Sequence, residues 1–401
     1  MNKIAIFTMG TRGDVQPYIY LARSLTESGI DTIIGTHPCW KNLIEEAGVG
    51  FKPIGPDINI ERETAEIRGN SLNPLLSMLK SMDFITEIIQ ESTHDILNAC
   101  KGRDLVVVSH SLMGAVEAEV LGIPTVNVTL QKDTIGEKLR QQTFLEKGVD
   151  SVISQRVAKP YNKIRKIYGL RPIKSSDELV SDNLNLIPIS RSVIERNPYW
   201  EAKNVVTGFW YYDDPDFIPN ERLEHFMEVE KPVLLYLGTL ENEDDADLVR
   251  LDTYLDAFEE TNTKVIIMGA QGKFASTYDL PEWAMTCDYL PPSWLFAKAR
   301  YIIHNCGFAT SVASLVYGAP SVPIPNVLDQ IGYATKLYDL GVATKAVQGS
   351  KVSYKSLLGA LDEMNSSYYF KKESAEELAK KVRSENGLGE AVRLIKDVLR
   401  G

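Results

Sequence analysis

Ile4-Ala5-Ile6-Phe7-Thr8 runs straight into Met9-Gly10-Thr11-Arg12-Gly13-Asp14-Val15-Gln16-Pro17. The first five residues are apolar and β-branched enough to read as a buried strand. Gly10 and Gly13 then permit unusual backbone angles and close approach of a ligand. Pro17 suits the first turn of a following helix, expected over Pro17–Ser28, because that position needs no N–H. Asp14 lies near the helix N-terminus, where the dipole stabilises a carboxylate by about 0.3–1 kcal/mol. Its plainest role there is a cap.

The same strand–loop–helix order repeats downstream. Thr32–Gly35, Leu105–Ser109 and Thr125–Thr129 read as buried strands; Trp40–Ala47, Leu75–Ala99 and Leu112–Leu121 read as helices. The alternation specifies a parallel sheet covered on both faces. It recurs with strands Val233–Gly238, Lys264–Met268, Tyr301–His304 and Ser321–Pro325, and with helices Leu248–Glu260, Ser293–Ala299, Ser311–Tyr317 and Tyr333–Leu340. Between the halves, 208–231 is rich in Asp, Pro and aromatic residues without a clear period, and reads as a linker. The expected division is 1–207, linker 208–231, 232–385, and a C-terminal helix within 386–401 that packs back towards the first domain. In open α/β sheets ligands bind outside the carboxyl ends of the strands. The chemistry is therefore expected on strand-to-helix loops that face a cleft between two α/β domains.

The totals agree with this class. The chain has 401 residues, 44% hydrophobic and 24% charged, with a net charge of −11. That is enough chain for two globular domains. The acidic balance argues against nucleic acid as a partner. Cys39, Cys100, Cys287 and Cys306 form no C-x-x-C pair, so neither a zinc site nor a redox motif is indicated. Four scattered thiols suit a reducing compartment. The apolar start is too short for a signal sequence, and no run reaches the ~18–20 residues that span a bilayer. The expected location is the cytoplasm.

The richest segment is Tyr289-Leu290-Pro291-Pro292, then Tyr301-Ile302-Ile303-His304-Asn305-Cys306-Gly307-Phe308-Ala309-Thr310-Ser311, then Pro323-Ile324-Pro325-Asn326-Val327-Leu328-Asp329-Gln330. A buried strand here meets small and hydroxylated residues at a helix start. Backbone N–H groups near Gly307 and the hydroxyls of Thr310 and Ser311 make an anion site suited to a pyrophosphate. The simpler reading is a strand–turn–helix junction capped by Thr310 or Ser311.

Both loops resemble those of the bacterial antibiotic, macrolide and sterol glycosyltransferases of glycosyltransferase family 1, which have the GT-B fold. Gly10, Gly13, Asp14 and Pro17 match the pattern G-x-x-G-[His/Asp]-x-x-P. The resemblance implies that Asp14 is the general base that deprotonates the acceptor. His304, Gly307, Thr310, Asp329 and Gln330 match the bacterial donor-binding pattern, and Cys306-Gly307 the plant one. The resemblance further implies that 304–311 hold the phosphates and Asp329 and Gln330 the sugar hydroxyls. It puts the nucleobase near the backbone of Leu290 and the donor phosphates near Gly238 and Thr239, and counts Gly13 among the donor-binding residues. The chain departs from the pattern at Asn305, where the family has a phosphate-contacting His, and at Phe308-Ala309. Asn can donate a hydrogen bond but carries no positive charge.

The implied fold is α/β, with two Rossmann-like domains facing each other across a cleft. The implied activity is inverting transfer of a sugar from a UDP- or dTDP-sugar to a hydroxyl of a small apolar acceptor, with no metal and no cofactor. Alternatives on the same scaffold are a non-catalytic binding protein with a degenerate donor site and a sugar-nucleotide epimerase. His110, after the strand Leu105–Ser109, is expected to contact Asp14 or the acceptor. The acidic clusters Asp213–Asp216 and Glu241–Asp245 read as solvated loops. Seven basic residues and no acidic one occur from Arg156 to Lys174. With Val157, Tyr161, Ile164 and Ile167 they form either a basic helix of the first lobe or a surface for weak contact with anionic lipid. Met78, Met82, Phe84 and Ile88, near helical spacing, read as core or as the lining of an apolar acceptor pocket.

Overall fold

The structure, a computed structural model, describes residues 1–58, 60, 62–63, 67, 74–130, 144–237, 245–268, 279–287, 290–326 and 328–401, without the side chains of 74–78, 144–153, 245–250 and 328. It divides into two compact units. The first comprises Met1–Ile67, Leu76–Trp210 and Glu385–Gly401, and the second is built on Tyr211–Ser384.

In the first unit the elements run β1 (Lys3–Phe7), α1 (Arg12–Glu27), β2 (Asp31–Thr36), α2 (Lys41–Glu46), β3 (Gly50–Pro53), α3 (Pro74–Glu91), α4 (Thr93–Cys100), β4 (Leu105–Val108), α5 (Ala115–Leu121), β5 (Thr125–Val128), α6 (Phe144–Ile167), β6 (Asn185–Ile187) and β7 (Asn204–Val206). All seven strands are parallel, in the order β3-β2-β1-β4-β5-β6-β7. Ile4, Ala5, Ile6 and Phe7 are fully buried, as are Leu105 to Val108. Strands covered on both faces need such unbroken apolar runs. Neighbouring β1 and β4 leave the sheet in opposite directions, so their loops open a crevice at its carboxyl edge.

The second unit runs α7 (Glu221–Glu230), β8 (Val233–Tyr236), α8 (Asp245–Glu260), β9 (Val265–Met268), β10 (Ala284–Cys287), α9 (Pro292–Lys298), β11 (Ile302–His304), α10 (Phe308–Val316), β12 (Ser321–Pro323), α11 (Leu328–Asp339) and α12 (Tyr354–Arg383). Its parallel sheet has the order β10-β9-β8-β11-β12. The switch point here lies between β8 and β11.

The last helix, α13 (Gly387–Arg400), belongs to the first unit. Lys396 Nζ donates to the Ser28 carbonyl at 3.2 Å. A Cβ at Gly387 would stand 2.5 Å from the Gly208 carbonyl oxygen, so only glycine permits this approach. Glu385 accepts from Ser190 Oγ at 2.8 Å and from the Arg191 N–H at 3.2 Å.

Four expectations need correction. First, α1 begins at Arg12, a turn earlier than Pro17 suggested, so Pro17 lies inside the helix. Its missing N–H leaves the Gly13 carbonyl without its helical donor. Second, the helix expected over Leu75–Ala99 is two helices, parted at Ser92. Third, the stretch taken as a linker contains α7, which buries Leu223, Phe226 and Met227. Fourth, the apolar side of the basic segment does not face outward. Tyr161 and Ile164 are buried in the core with Val157 packed against them, and only Ile167 is exposed. Arg165 is buried against Glu119, and Arg156 pairs with Asp83 at 2.5 Å. That side is therefore core, and lipid contact has no support from it.

One buried carboxyl makes the first unit sensitive to pH. Glu117 on α5 is 1% exposed and accepts a 2.6 Å hydrogen bond from Thr93 Oγ1. Burial pushes its pKa up to about 7, against an ordinary 4.5. A raised pKa means the folded state holds the proton more tightly. The stabilisation is full below pH 4.5 and is lost as pH rises through about 7. At about 1.36 kcal/mol per pH unit, the change between 4.5 and about 7 is on the order of 3 kcal/mol. Glu117→Gln keeps the hydrogen bond and removes the titration. Denaturant unfolding should show this variant close to wild type at pH 5 and more stable by about 2 kcal/mol at pH 8. Equal stabilities at pH 8 would mean the carboxylate is better solvated than its burial implies.

Candidate functional site

Each unit carries a helix N-terminus at its sheet switch point, and the two are finished differently. In the first unit β1 leads through Gly10 into α1. Thr11 is the N-cap, and Asp14 is the third helical residue. Asp14 Oδ2 accepts from the Thr11 N–H and the Thr11 hydroxyl, each at 2.9 Å. This is a capping box with aspartate in place of the usual glutamate. It requires the carboxylate to fold back over Gly10, whose φ is +137°. A Cβ on Gly10 would stand 2.4 Å from Asp14 Oδ2. The other oxygen, Oδ1, lies 3.6 Å from His110 Nε2, and both side chains are 36% exposed. The structure thus brings Asp14 and His110 together at the carboxyl edge, on loops from adjacent strands.

The surroundings hold this pair in place. Thr8 Oγ1 donates to the Asp14 carbonyl at 2.8 Å, and Trp40 Nε1 to the Gly10 carbonyl at 3.1 Å. Ser109 Oγ and Ser111 Oγ are 2.8 Å apart, and Tyr161 donates its phenol proton to the Ser111 carbonyl. Tyr18, fully buried one turn after Asp14, has its phenol pKa driven far up by burial, so it stays protonated. Gly13 is the second residue of α1 and half-buried.

In the second unit β11 ends at His304, and the chain turns through Cys306 at φ +59°. Gly307 is the N-cap of α10 and offers no side chain to the helix. The first helical bond runs from the Ser311 N–H to the Gly307 carbonyl at 3.0 Å. The N–H groups of Phe308, Ala309 and Thr310 therefore lie at the start of the helix without helical acceptors. Together with the dipole, they can hold an anion. Ser311 Oγ, buried in the same turn, has no hydrogen-bond partner.

His304 has a different job from the one expected. It is fully buried, and burial pushes its pKa down to about 3, so the ring is neutral. Its Nδ1 lies 3.0 Å from Thr310 Oγ1, which itself donates to the Gly307 carbonyl at 3.1 Å. With the Thr310 proton so used, His304 is the donor to Thr310. The imidazole braces the loop from beneath and presents no charge to a phosphate. Asn305 is spent similarly: Nδ2 donates to the Leu237 carbonyl at 3.3 Å, and Oδ1 accepts from the Gly307 N–H at 3.1 Å. Gln330 Oε1 accepts from the Asn326 N–H at 2.8 Å, tying down the start of α11. Asp329 is exposed in the first turn of α11. One turn on, Tyr333 meets Phe308 edge to face at 5.9 Å. Leu290 packs partly buried against the core of this unit. Gly238 and Thr239 lie outside the described residues, as do Glu241–Asp244 of the second acidic cluster.

The sequence reading missed two supports of Asp14. Thr11-x-x-Asp14 carried a readable capping signal. Trp40 had none, because its bond to Gly10 depends on how β1 and β2 pair. Asp213, read as part of a solvated loop, is instead bound by Arg383 through two nitrogens, at 2.6 and 3.2 Å. Among the described residues no three His, Cys, Asp or Glu side chains are grouped to hold a metal ion. Among them, too, no helix is long and apolar enough to cross a membrane.

Residues 4–134 match the glycosyltransferase family 28 N-terminal domain. The chain is 27% identical over 425 positions to a sterol 3-beta-glucosyltransferase of Komagataella phaffii, covering 98% of this chain but 34% of that protein. It is 26% identical over 386 positions to the O-mycaminosyltylonolide 6-deoxyallosyltransferase of Streptomyces fradiae, covering 90% of this chain and 89% of that one. The chain thus spans about a third of the first relative's length and nearly all of the second's. Among solved structures it superposes on the glycotransferase of kitacinnamycin with a TM-score of 0.76, at 17% identity and 99% coverage of both chains. It matches the glycosyltransferase VinC, solved in complex with dTDP, with a TM-score of 0.72 at 20% identity and full coverage of both. The fold is that of the GT-B glycosyltransferases, and the homologues are sterol and macrolide glycosyltransferases.

Gly10→Ala tests the geometry of the first loop. The methyl group would displace Asp14 Oδ2 and break the capping box. Loss of such a cap costs about 0.5–2 kcal/mol. Unfolding should report a loss in that range or somewhat above it. An unchanged stability would mean that the carboxylate does not fold back over Gly10.

Proposed function

We propose that this relative of the sterol and macrolide glycosyltransferases is itself an inverting glycosyltransferase, moving a sugar from a UDP- or dTDP-sugar to a hydroxyl of a small apolar acceptor. The observation that carries the reading is the division of labour within the Asp14 carboxylate. One oxygen is fixed by the capping box, and the other is left accessible beside His110. A carboxylate so oriented can take a proton from a hydroxyl placed within ~3 Å of it.

In this mechanism the acceptor hydroxyl gives its proton to Asp14 Oδ1 as its oxygen attacks the anomeric carbon. The bond from that carbon to the diphosphate oxygen breaks, and the electron pair leaves with the diphosphate. Attack from the opposite face inverts the centre. The growing negative charge is met by the N–H groups of Phe308, Ala309 and Thr310 and by the dipole of α10, so the reading invokes neither metal nor cofactor. Asp329 is assigned to the sugar hydroxyls, and Leu290 to the side of the nucleobase. Of the apolar residues on α3, Ile88 is buried in the core and Phe84 packs against it, so neither is assigned to the acceptor. His110 passes the proton on from Asp14 and holds the carboxylate in position. Four thiols scattered along the chain without a C-x-x-C pair support a cytoplasmic location.

A second reading is a binding protein without turnover. It draws on the uncharged character of the α10 start, where His304 is neutral and Asn305 is engaged in the loop. Two measurements separate the readings. A nucleotide diphosphate at 100 times its Kd adds about 2.7 kcal/mol to stability, which shows as a raised Tm. UDP or dTDP should give this shift in wild type and in Asp14→Asn alike. Sugar transfer should fall by about 10²–10⁴-fold in Asp14→Asn. A shift without transfer in wild type, across a panel of apolar alcohols and phenols, would favour the binding protein. No shift with any nucleotide would end the transferase reading. His110→Ala with unchanged turnover would remove His110 from the mechanism.

A further inference from the structure

A cavity of about 580 Å³ opens within the second unit. Its walls come from residues 213–217, α9, the end of α10 and the last turns of α12. Val316, Tyr317 and Gly318 line it at the C-terminal end of α10, about 12 Å along the helix from the Phe308 amide. It is therefore separate from the proposed diphosphate site. Its volume lies within the ~300–1,000 Å³ of small-molecule sites and calls for a drug-sized ligand rather than a single ring.

Most of the lining is apolar. Pro215, Phe217, Trp294, Ala297, Val316 and Ala379 give it carbon surface, and Tyr317 adds a ring. The rings have contacts of their own. Phe217 meets Trp294 edge to face at 5.4 Å, and Tyr211 meets Tyr317 in the same way at 6.3 Å. The Tyr317 hydroxyl donates to Asp213 Oδ1 at 3.1 Å, and Ser293 Oγ accepts from the Asp214 N–H at 3.1 Å. Phe217, Trp294 and Tyr317 are only half-buried, so the walls are braced while part of each ring stays open. A site formed in advance saves part of the ordering cost of binding.

The charges decide which kind of molecule fits. Arg383 is spent on Asp213, and it also lies over Tyr211 and Tyr317, 5.3 and 5.6 Å from the ring centres. Lys298 stands over Trp294 at 5.3 Å. These rings thus already have their cations. Glu376 pairs with Lys372 at 3.2 Å. That leaves one carboxylate, Asp214, and one ammonium, Lys380, neither with an ion pair or hydrogen bond among the described residues. Their charges cancel, and an ion of either sign would be opposed by one of them. A hydroxyl suits both, since it donates to a carboxylate and accepts from an ammonium.

We propose that this cavity is a second small-molecule site, which takes an uncharged multi-ring alcohol or phenol. The rings of the ligand lie against Phe217, Trp294 and Tyr317, and its hydroxyls meet Asp214 and Lys380. The proposal does not rest on the transferase reading, and the binding is measured without nucleotide.

Equilibrium dialysis of labelled estradiol, an uncharged four-ring frame with hydroxyls, tests it. Wild type should bind one equivalent more than Ala297→Trp, in which the indole fills the cavity from an exposed position on α9. Asp214→Ala, which keeps the N–H bond to Ser293, should weaken that equivalent at least about tenfold, near 1.4 kcal/mol. Estradiol 3-sulfate and benzyltrimethylammonium should compete for it at least about tenfold more weakly than unlabelled estradiol. Both variants should match wild type in Tm and in the Tm shift given by UDP or dTDP. Equal stoichiometry in wild type and a folded Ala297→Trp, an unchanged affinity in Asp214→Ala, equal competition by either ion, or no binding of estradiol by wild type would overturn the proposal. Failure of the transferase reading would show separately, as an absent nucleotide shift with this equivalent intact.

Discussion

The return of the Asp14 carboxylate onto the Thr11 N–H and hydroxyl is the interaction from which the first loop follows. It starts α1 at Arg12 and makes Gly10 obligatory, because any side chain there would occupy the carboxylate's space. It also fixes one carboxylate oxygen and leaves its twin facing His110. A capping aspartate and a catalytic aspartate are usually weighed as alternatives. Here one oxygen serves the cap, and the proposed function assigns the other to catalysis.

The second unit solves the same structural problem in the opposite way. Both helices begin at a sheet switch point, and both begin with amides that lack helical acceptors. At α1 a carboxylate of the chain itself meets the N-cap amide, that of Thr11. At α10 the N-cap is glycine, and the neighbouring polar side chains are drawn inward. His304 holds Thr310, Asn305 holds Gly307, and Gln330 holds Asn326. The amides of Phe308, Ala309 and Thr310 lack helical acceptors, which suits the anion site of the proposed function. The replacement of the expected His by Asn305 therefore removes no charge that this geometry would use at a phosphate.

The alternation of apolar runs and helical patterns made the two parallel sheets legible, since strands buried on both faces cannot hide their composition. Asp14, Gly307 and Thr310 were legible because short motifs with backbone consequences encode them. The inward turn of His304 was not, because burial depends on β11 lying between β8 and β12, a pairing no local stretch records. The true start of α1 was obscured by Pro17, whose usual place is the first turn. The split at Ser92 and the helix Glu221–Glu230 were lost for a related reason: their periods are set by packing over few residues.

The central claim is that the uncapped α10 start is the diphosphate site. The most direct measurement is calorimetric titration of UDP and dTDP into wild type and Gly307→Asp. The nearest atoms to a Cβ at 307 are 3.6 and 4.0 Å away, so a Cβ there meets only ordinary contacts. As an N-cap its carboxylate would take the N–H groups of the first turn. The account expects this variant to fold with equal or higher Tm and to lose nucleotide binding by at least about a hundredfold, near 2.7 kcal/mol. Undiminished binding in a folded variant would contradict it.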